Sequence, residues 1–162
     1  MSDATLTPKI VRESQSELSE LALPNDANGL GNLLGGKLMH LMDIAGALAA
    51  SRHARAFVVT ASFDHMNFLA PVRIGQLVLL YSSVNRAFRT SMEVGVKAYV
   101  EDLRTGERKH VSSGYLTFVA LDEKGTPTRV PPVIPESEEE KRRYQQAGLR
   151  RAYRMQLAGK AG

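Results

Sequence analysis

The chain has 162 residues, of which 43% are hydrophobic, and a formal net charge of +4. This length and apolar content suit one domain with a sizeable core and leave little room for a second. The chain contains no cysteine, which excludes disulfide bonds, zinc sites built on thiolates and a cysteine nucleophile.

The N-terminal segment is polar. Its sequence, MSDATLTPKIVRESQSE, has no apolar stretch of signal-peptide length, so we expect a cytoplasmic protein. We predict a loose N-terminus over residues 1–14 and a single domain over residues 15–135. Residues 16–23 carry leucines among polar residues before Pro24, which predicts a first strand.

A loop rich in Asn and Gly, residues 25–36, leads into the central part of the chain. It ends on Gly35 and Gly36, which are costly for helix formation. Two interpretations of this pair stay open. It is a tight turn, or its N–H groups, at the positive end of a helix dipole, face an anion or a polarised carbonyl.

Residues 33–50, LLGGKLMHLMDIAGALAA, predict one buried helix. From residue 38 to 50 only His40 and Asp43 are neither apolar nor Gly, so the helix has no broad polar face and must be covered on nearly all sides. It is too short to span a bilayer. Asp43 lies about two turns inside the helix, where a cap finds no free N–H. Burying an unpaired carboxylate is costly, so we interpret Asp43 as a site of chemistry rather than part of a core network.

The following sequence changes to a period of two residues, which predicts strands. Residues 58–65 form one, residues 76–84 form a second that is apolar on both faces and therefore central, and residues 92–101 form the clearest. A turn at residues 103–106 leads to a partner strand over residues 108–121. One buried helix followed by antiparallel strands predicts an α+β fold in which the sheet wraps around the helix.

The last segment, residues 136–162, predicts a basic C-terminal helix or tail. Ser137 and Glu140 form a capping box, and no acid follows Glu140. A solvated charged helix and a phosphate-contacting helix are equally compatible with this pattern.

Several segments together resemble a known family. They are DANGLGNLLGGKLMHLMD, FLAPVRIG, RTSMEVGV and RTGERKH, and the resemblance extends from about Glu17 to the prolines near residue 132. The combination is similar to the cytosolic acyl-CoA thioesterases of the hotdog superfamily. The resemblance implies a hotdog fold and the hydrolysis of fatty acyl-CoA to free fatty acid and CoA.

The resemblance also implies site residues and an assembly. In that family an Asn in the D-A-N segment and an Asp in the helix act together, which corresponds to Asn28 and Asp43. Members form trimers of dimers with active sites at dimer interfaces. One departure is Leu34, where some relatives have His or Phe, and we interpret it as a change in pocket lining. A curved sheet cannot cover so apolar a helix, which independently predicts a homodimer.

A thioester requires mainly a polarised carbonyl and a nucleophile. The N–H groups of Gly35 and Gly36 are candidates to polarise the carbonyl, and Asn28 is a candidate to orient it or the water. Asp43 can deprotonate water or attack directly to give a mixed anhydride. We predict that neither a cofactor nor a metal takes part, because the four histidines are scattered and CoA belongs to the substrate.

Candidate contacts to the CoA phosphates are basic or hydroxyl-bearing residues: Arg89, Thr90, Ser91, Arg142 and Arg143. Three alternatives stay open. A hydratase or dehydratase would use His40 beside Asp43, an acyl-CoA sensor would need no chemistry, and a nucleic-acid-binding protein would use the basic tail. Aromatic residues make up only 6% of the chain, so we expect no nucleic-acid partner, and we expect no membrane partner.

Overall fold

The computed structural model describes residues 6–161, with side chains described through Gly159. The strands are β1 (Lys9–Ile10), β2 (Ser16–Leu21), β3 (Phe57–Phe68), β4 (Leu77–Ala87), β5 (Ser91–Glu101), β6 (Arg108–Leu121) and β7 (Val133–Ile134). The helices are α1 (Gly35–Ala54) and α2 (Glu138–Ala161). Short 3-10 turns cover Val11–Ser14 and Pro24–Asp26.

Five strands form one sheet in the order β2-β4-β5-β6-β3, and every neighbouring pair is antiparallel. Helix α1 packs on one face of this sheet and α2 on the other. The predicted α+β fold, with an antiparallel sheet around a central helix and a further C-terminal helix, is therefore confirmed. The long strand β3 lies at one edge of the sheet and the short strand β2 at the other.

Strand β5 shows why the sheet forms where the sequence alternates. Its apolar residues Met92, Val94, Val96 and Ala98 are buried on the face toward α1, as predicted. The opposite face carries Glu93, Gly95, Lys97 and Tyr99. The period of two thus assigns one apolar face to the core and leaves the other for α2 and solvent.

Helix α1 turns one apolar stripe toward the sheet. Its buried residues recur at helical spacing: Leu38, Leu41, Met42, Ala45, Gly46, Ala49, Ala50 and His53. Gly46 allows this close packing, because a Cβ there would lie 2.9 Å from the ring of Phe118. A larger residue would require the Phe118 ring or the helix to move.

The opposite side of α1 is open in the single chain. Met39, Ile44 and Leu48 are each exposed to more than a third of their surface, and His40 is exposed. One chain therefore leaves this side of α1 uncovered, which agrees with the expectation that a single curved sheet cannot cover the helix and that a second copy supplies the rest. The sheet covers one stripe only, because a helix can present just one side to a single layer.

The C-terminus of α1 is held by two sets of hydrogen bonds. At its C-terminus Arg55 adopts a left-handed conformation (φ 50°), and its N–H donates to the carbonyl of Ser51 at 2.8 Å. Lys9 Nζ donates to the carbonyls of Arg52 and His53, both at 2.9 Å. These contacts place a cation at the negative end of the helix dipole.

The N-terminal segment differs from the loose terminus that the sequence predicts. Strand β1 pairs in parallel with β7, and Val11 and Ser14 are buried. Ser14 Oγ also accepts a hydrogen bond from the Val84 N–H at 2.9 Å. Apolar and hydroxyl contacts thus tie down the chain from Lys9 onward, and residues 1–5 lie outside the described part.

Helix α2 begins after Ser137, whose Oγ accepts the Glu140 N–H at 3.1 Å, so one bond of the predicted capping box is present. The Glu140 carboxylate accepts the N–H of Glu136 at 3.4 Å and not that of Ser137, so the reciprocal bond differs from the prediction. It packs across the sheet with Ala147 fully buried. Arg150 donates from Nε and Nη2 to the two carboxylate oxygens of Glu93 at 2.9 and 2.6 Å. Arg154 donates to Asp64 of β3 at 2.6 Å. Two arginines of the basic tail therefore dock the helix onto the sheet.

Within residues 6–161, neither helix combines the length and the apolar character needed to cross a membrane.

Candidate active site

Asp43 lies on the open side of α1 and is half-buried, not enclosed. The hydroxyl of Thr60, on edge strand β3, donates to Asp43 Oδ1 at 2.6 Å. In the described part of the chain Oδ2 has no hydrogen-bond partner. The bond fixes the carboxylate on the open face and leaves one oxygen free to act on a ligand.

Sequence reasoning missed Thr60. Its position beside Asp43 depends on how β3 lies against α1. The contact joins two residues that are 17 positions apart in the sequence, so local sequence does not reveal it. The register between β3 and β6 shifts between Thr60 and Ser62, so a bulge follows the hydroxyl. A bulge re-aims side chains, and a threonine in a strand carries no signal of such a role.

Helix α1 starts at Gly35 and has no side-chain cap. The N–H groups of Gly35 and Gly36 have no hydrogen-bond partner among residues 6–161, as expected of a first helical turn. A Cβ at Gly35 would lie 3.3 Å from Cζ of Phe68, so the ring of Phe68 covers this residue closely. Both glycines are exposed, and they fit the predicted role as carbonyl-polarising donors.

Asn28 has its side-chain carbonyl occupied by its own loop. Oδ1 accepts the N–H groups of Leu30 at 2.9 Å and Asn32 at 3.2 Å. The same loop is closed by a bond from the Asn28 N–H to the Asn32 carbonyl at 2.7 Å. Nδ2 is the polar atom of Asn28 that remains available, so this side chain can offer a ligand donors but not its acceptor.

A cavity of about 360 Å³ joins Asn28 to the start of α1. Asn28 and Gly35 line it, together with the apolar residues Leu33, Leu38, Phe68, Leu69, Ala70, Pro71 and Val72. Asp43 and Thr60 do not line this cavity. Asp43 is eight residues along the helix from Gly35, or about 12 Å of rise. A single chain therefore brings together Asn28 and Gly35 but separates them from Asp43.

The first group of predicted CoA contacts spans the turn between β4 and β5 and the first residue of β5. Arg89 is exposed, whereas Thr90 is half-buried and Ser91 is buried. The main-chain carbonyls of Arg89 and Thr90 accept the N–H groups of Val130 and Ala120. Arg89 is thus the member of this group whose side chain is best placed to meet a phosphate.

The second group lies on α2. Arg143 donates to Glu139 at 2.6 Å, and Arg142 lies 3.9 Å from the same carboxylate. Arg142 is exposed and Arg143 is half-buried. Surface pairs of this kind contribute little to stability, so both cations remain available to an anion.

The alternative hydratase or dehydratase chemistry depends on His40. His40 is exposed one turn before Asp43 on the same open side of the helix. Among residues 6–161 we find no group of three or more His, Cys, Asp or Glu side chains that could hold a metal ion.

Comparison with known proteins places this geometry in context. Residues 30–107 match the family model described as the thioesterase superfamily. A Bacillus subtilis protein named as an uncharacterized acyl-CoA thioester hydrolase is 43% identical over 132 residues, which are 82% of this chain and 77% of that protein.

Solved structures of acyl-CoA thioesterases and acyl-CoA hydrolases are also similar to this chain. An apo-hexameric acyl-CoA thioesterase has a TM-score of 0.90 and 40% identity, over 94% of this chain and 98% of that one. A Staphylococcus aureus acyl-CoA hydrolase, solved with butyryl-CoA, CoA and CoA disulfide, has a TM-score of 0.85 and 36% identity, over 94% and 95% of the two chains.

Proposed function

The chain belongs to the hotdog acyl-CoA thioesterases of the thioesterase superfamily, and from that membership we propose that Asp43 carries the hydrolysis of the thioester. The enzyme is an acyl-CoA thioester hydrolase. The observation that supports Asp43 is its bond with Thr60 at 2.6 Å, which holds a carboxylate on the open face of α1 with Oδ2 unused.

Two routes are compatible with this carboxylate. As a general base, Asp43 takes a proton from water while the water oxygen bonds to the thioester carbon. The C–S bond then breaks, CoA leaves as the thiolate, and the proton held by Asp43 passes to that sulfur. As a nucleophile, its oxygen bonds to that carbon, CoA leaves as the thiolate, and water then hydrolyses the mixed anhydride. In both routes the carbonyl oxygen gains negative charge before the C–S bond breaks, so it needs donors nearby.

We assign those donors to the first turn of α1 and to the Asn28 loop beside it. The free N–H groups of Gly35 and Gly36 and the Nδ2 group of Asn28 all donate, and Asn28 is held in place by two bonds to Oδ1. The helix dipole favours negative charge at the same point. Asn28 therefore orients the carbonyl oxygen or the water by donation.

These donors and Asp43 do not meet in one chain, so we propose that the complete site forms between two copies. The open apolar side of α1 and the free edge of β3 are the surfaces that a second copy would cover. A homodimer, assembled further as a trimer of dimers, fits the hexameric thioesterase to which this chain is similar.

The remaining parts of the proposal concern partners. Arg89, with Thr90 and Ser91, and Arg142 with Arg143 are retained as contacts to the phosphates of CoA. The reaction as proposed uses only side chains, main-chain N–H groups and water, and the absence of a cofactor stays a prediction. A cytoplasmic location and the absence of nucleic-acid and membrane partners also stay predictions.

The test is Asp43→Asn, which keeps the size of the side chain and removes its charge. We expect kcat to fall by about 10² to 10⁴, the usual worth of general acid-base catalysis, with folding retained. Thiol release from acyl-CoA substrates measures the rate. Glu123→Gln, in an exposed turn, is the matched control and should keep full activity. Full activity in Asp43→Asn would contradict the proposal and favour an acyl-CoA sensor.

A further inference from the structure

The loop that carries Asn28 contains a dipeptide with a chemistry of its own, Asn28-Gly29. An asparagine is thermally labile because the main-chain nitrogen of the next residue can attack its side-chain amide. Glycine permits this attack most readily, since it has no Cβ to hinder the nitrogen or to restrict the backbone. None of the other asparagines of the chain precedes a glycine; they are Asn25, Asn32, Asn67 and Asn85.

The attacking nitrogen, that of Gly29, is unhindered. Asn28 and Gly29 are both exposed. Apart from the chain neighbours of Gly29, no atom lies within 4 Å of the position that a Cβ would take there. The Gly29 N–H has no hydrogen-bond partner among residues 6–161. Loss of its proton therefore breaks no bond of the folded chain.

The side-chain amide of Asn28 is also suited to the reaction. Its Oδ1 accepts the N–H groups of Leu30 at 2.9 Å and Asn32 at 3.2 Å, and these donors stabilise negative charge that develops on that oxygen. Within the described part of the chain Nδ2 makes no hydrogen bond, so its departure as ammonia removes no contact. The loop thus gives Oδ1 the kind of stabilisation that an oxyanion hole gives a substrate oxygen.

We infer that Asn28 is a site of spontaneous deamidation, and that this modification inactivates the catalytic site to which Asn28 belongs. The Gly29 nitrogen gives its proton to hydroxide and bonds to Cγ of Asn28, so that Oδ1 takes the negative charge. The intermediate re-forms its C=O bond and expels Nδ2, which takes a proton from water and leaves as ammonia. The product is a cyclic succinimide. Water opens this ring at either carbonyl and gives aspartate or isoaspartate.

The effect on catalysis rests on the proposed function of Asn28. Deamidation replaces the donor Nδ2 by a carboxylate oxygen, which puts a negative charge where the thioester carbonyl oxygen also gains negative charge. Isoaspartate in addition lengthens the main chain by one carbon and so disturbs the bonds from Leu30 and Asn32. Water, the other reactant of thioester hydrolysis, is all that the modification needs. Each site therefore has a limited lifetime that the chain itself sets.

The experiment follows the purified oligomer during incubation at neutral and at mildly alkaline pH. Peptide mass spectrometry measures the exchange of NH₂ for OH at every asparagine, and we expect Asn28 to react fastest, at a rate proportional to the hydroxide concentration. An isoaspartate-specific methyltransferase labels the second product. Isoaspartate identifies the succinimide route, because direct hydrolysis of the amide gives aspartate alone. Circular dichroism and light scattering verify that the protein stays folded and assembled.

The variant Gly29→Ala tests the role of the attacking nitrogen. Gly29 does not have a positive φ and its Cβ position is open, so alanine fits there without strain. The added methyl group hinders the nitrogen, and the conversion of Asn28 should become several-fold slower. Gly159→Ala, at the exposed end of α2, is the matched control and should leave the rate unchanged.

Thiol release from acyl-CoA, measured on the same samples, links the modification to activity. The activity of the wild type should fall in step with the fraction of intact Asn28, and Gly29→Ala should keep its own starting activity for longer. Asn28→Asp, which reproduces one product by mutation, should have the low activity of the fully converted wild type.

Two kinds of failure are distinguishable. The inference is overturned, with the proposed function untouched, if Asn28 keeps its amide as long as Asn32 does, or if Gly29→Ala deamidates as fast as the wild type. If Asn28 is converted and the activity stays full, inactivation by deamidation is disproved, and the role proposed for Asn28 in the hydrolysis is wrong as well.

Discussion

At the scale of single residues, the hydroxyl of Thr60 constrains the proposed chemistry most directly. Asp43 is not held by a cation, and its one hydrogen bond comes from this hydroxyl at 2.6 Å. A carboxylate on an exposed side of a helix would otherwise sample several rotamers. Thr60 therefore acts through Asp43, as a positioning residue.

The prediction is that Thr60→Val lowers kcat while KM changes little. Valine keeps the branched shape and removes the donor, so Asp43 loses its fixed orientation but the substrate contacts remain. We expect a fall in kcat of about tenfold or more, from the typical worth of a hydrogen bond to a charged group. Thr60→Ser restores the hydroxyl and should recover most of the rate. Equal kcat values for the valine variant and the wild type would exclude this role.

A second residue-scale prediction concerns His53, which is fully buried. Its Nε2 lies 2.7 Å from the Pro131 carbonyl, and Nδ1 has no partner. Burial lowers the pKa of His53 below its ordinary value of 6.5, an effect that the hydrogen bond to Pro131 opposes. The folded state then binds fewer protons than the unfolded state, so stability falls as the pH drops through and below 6.5.

Between about pH 7.5 and about pH 5.5, His53 should thus lower the unfolding free energy of the wild type, by at most about 1.4 kcal/mol for each pH unit below 6.5. His53→Gln cannot charge, so its stability should change less over the same interval. Urea denaturation at the two pH values measures this difference, and His40→Gln, at an exposed position, is the control. Identical pH dependence in His53→Gln and the wild type would contradict the assignment.

The sequence singled out Asp43 as a candidate because an acid inside an apolar helix breaks a local rule. It also pointed to Asn28, but only through resemblance to a family. Thr60 and His53 could not be found in this way. A threonine in a strand and a histidine near a helix end are ordinary residues there, and their partners come from distant parts of the chain.

At the scale of elements, the attachment of α2 depends on a buried charge. Glu93 is fully buried, although the alternation of β5 places it on the polar face of the strand. Arg150 contacts both of its carboxylate oxygens and also lies 3.6 Å over the ring of Tyr115. Asn85 Nδ2 donates to the same carboxylate at 3.0 Å. This cluster replaces the water that Glu93 loses when α2 covers it.

We predict that Arg150→Met lowers the free energy of unfolding by about 3 kcal/mol, because the buried carboxylate loses the cation that contacts both of its oxygens. Arg154, which lies 4.0 Å from one of those oxygens, then remains as the nearest cation. Adding Glu93→Gln should recover part of the loss, since the charge is then gone while Asn85 keeps an acceptor. Urea denaturation measures both variants, and Arg142→Met, on the exposed side of α2, is the control. A double variant no more stable than Arg150→Met would refute the pairing.

The elements themselves followed from the sequence more readily than their contacts. The strands and α1 were predicted because their periods of two and of about 3.6 residues are local properties. The β1–β7 pair was missed, since each strand has only two residues and the pairing joins opposite ends of the domain. The burial of Glu93 was missed for the same reason, because its cover comes from a helix 57 residues away.

At the scale of the whole molecule, one chain exposes an apolar surface around the proposed site. On α1 this surface includes Ile44 and Leu48, and on β3 it includes Phe57 (71% exposed) and Val59 (47%). Strand β3 pairs only with β6 among the described strands, so its other edge is free. A long exposed apolar edge favours pairing with another chain. The proposed composite site lies where such pairing would occur.

The decisive prediction is complementation between inactive variants. If Asp43 with Thr60 comes from one copy and Asn28 with Gly35 from the other, a hybrid of Asp43→Asn and Asn28→Ala contains one site that carries both changes and one that carries neither. Equal amounts with free exchange should regain about a quarter of the wild-type activity, because half of the dimers are hybrids with one intact site. Copies carrying different tags show that hybrids form, and thiol release measures the rate.

The control mixes Asp43→Asn with Thr60→Val. Both changes belong to the same half of the site, so every site in a hybrid carries one of them, and the activity should not exceed the mean of the two variants. If the mixture of Asp43→Asn with Asn28→Ala regains activity and the control mixture does not, Asn28 and Asp43 act together across the interface. If verified hybrids of Asp43→Asn and Asn28→Ala stay inactive, the two residues serve one chain's site and α1 must reach the Asn28 loop by another arrangement.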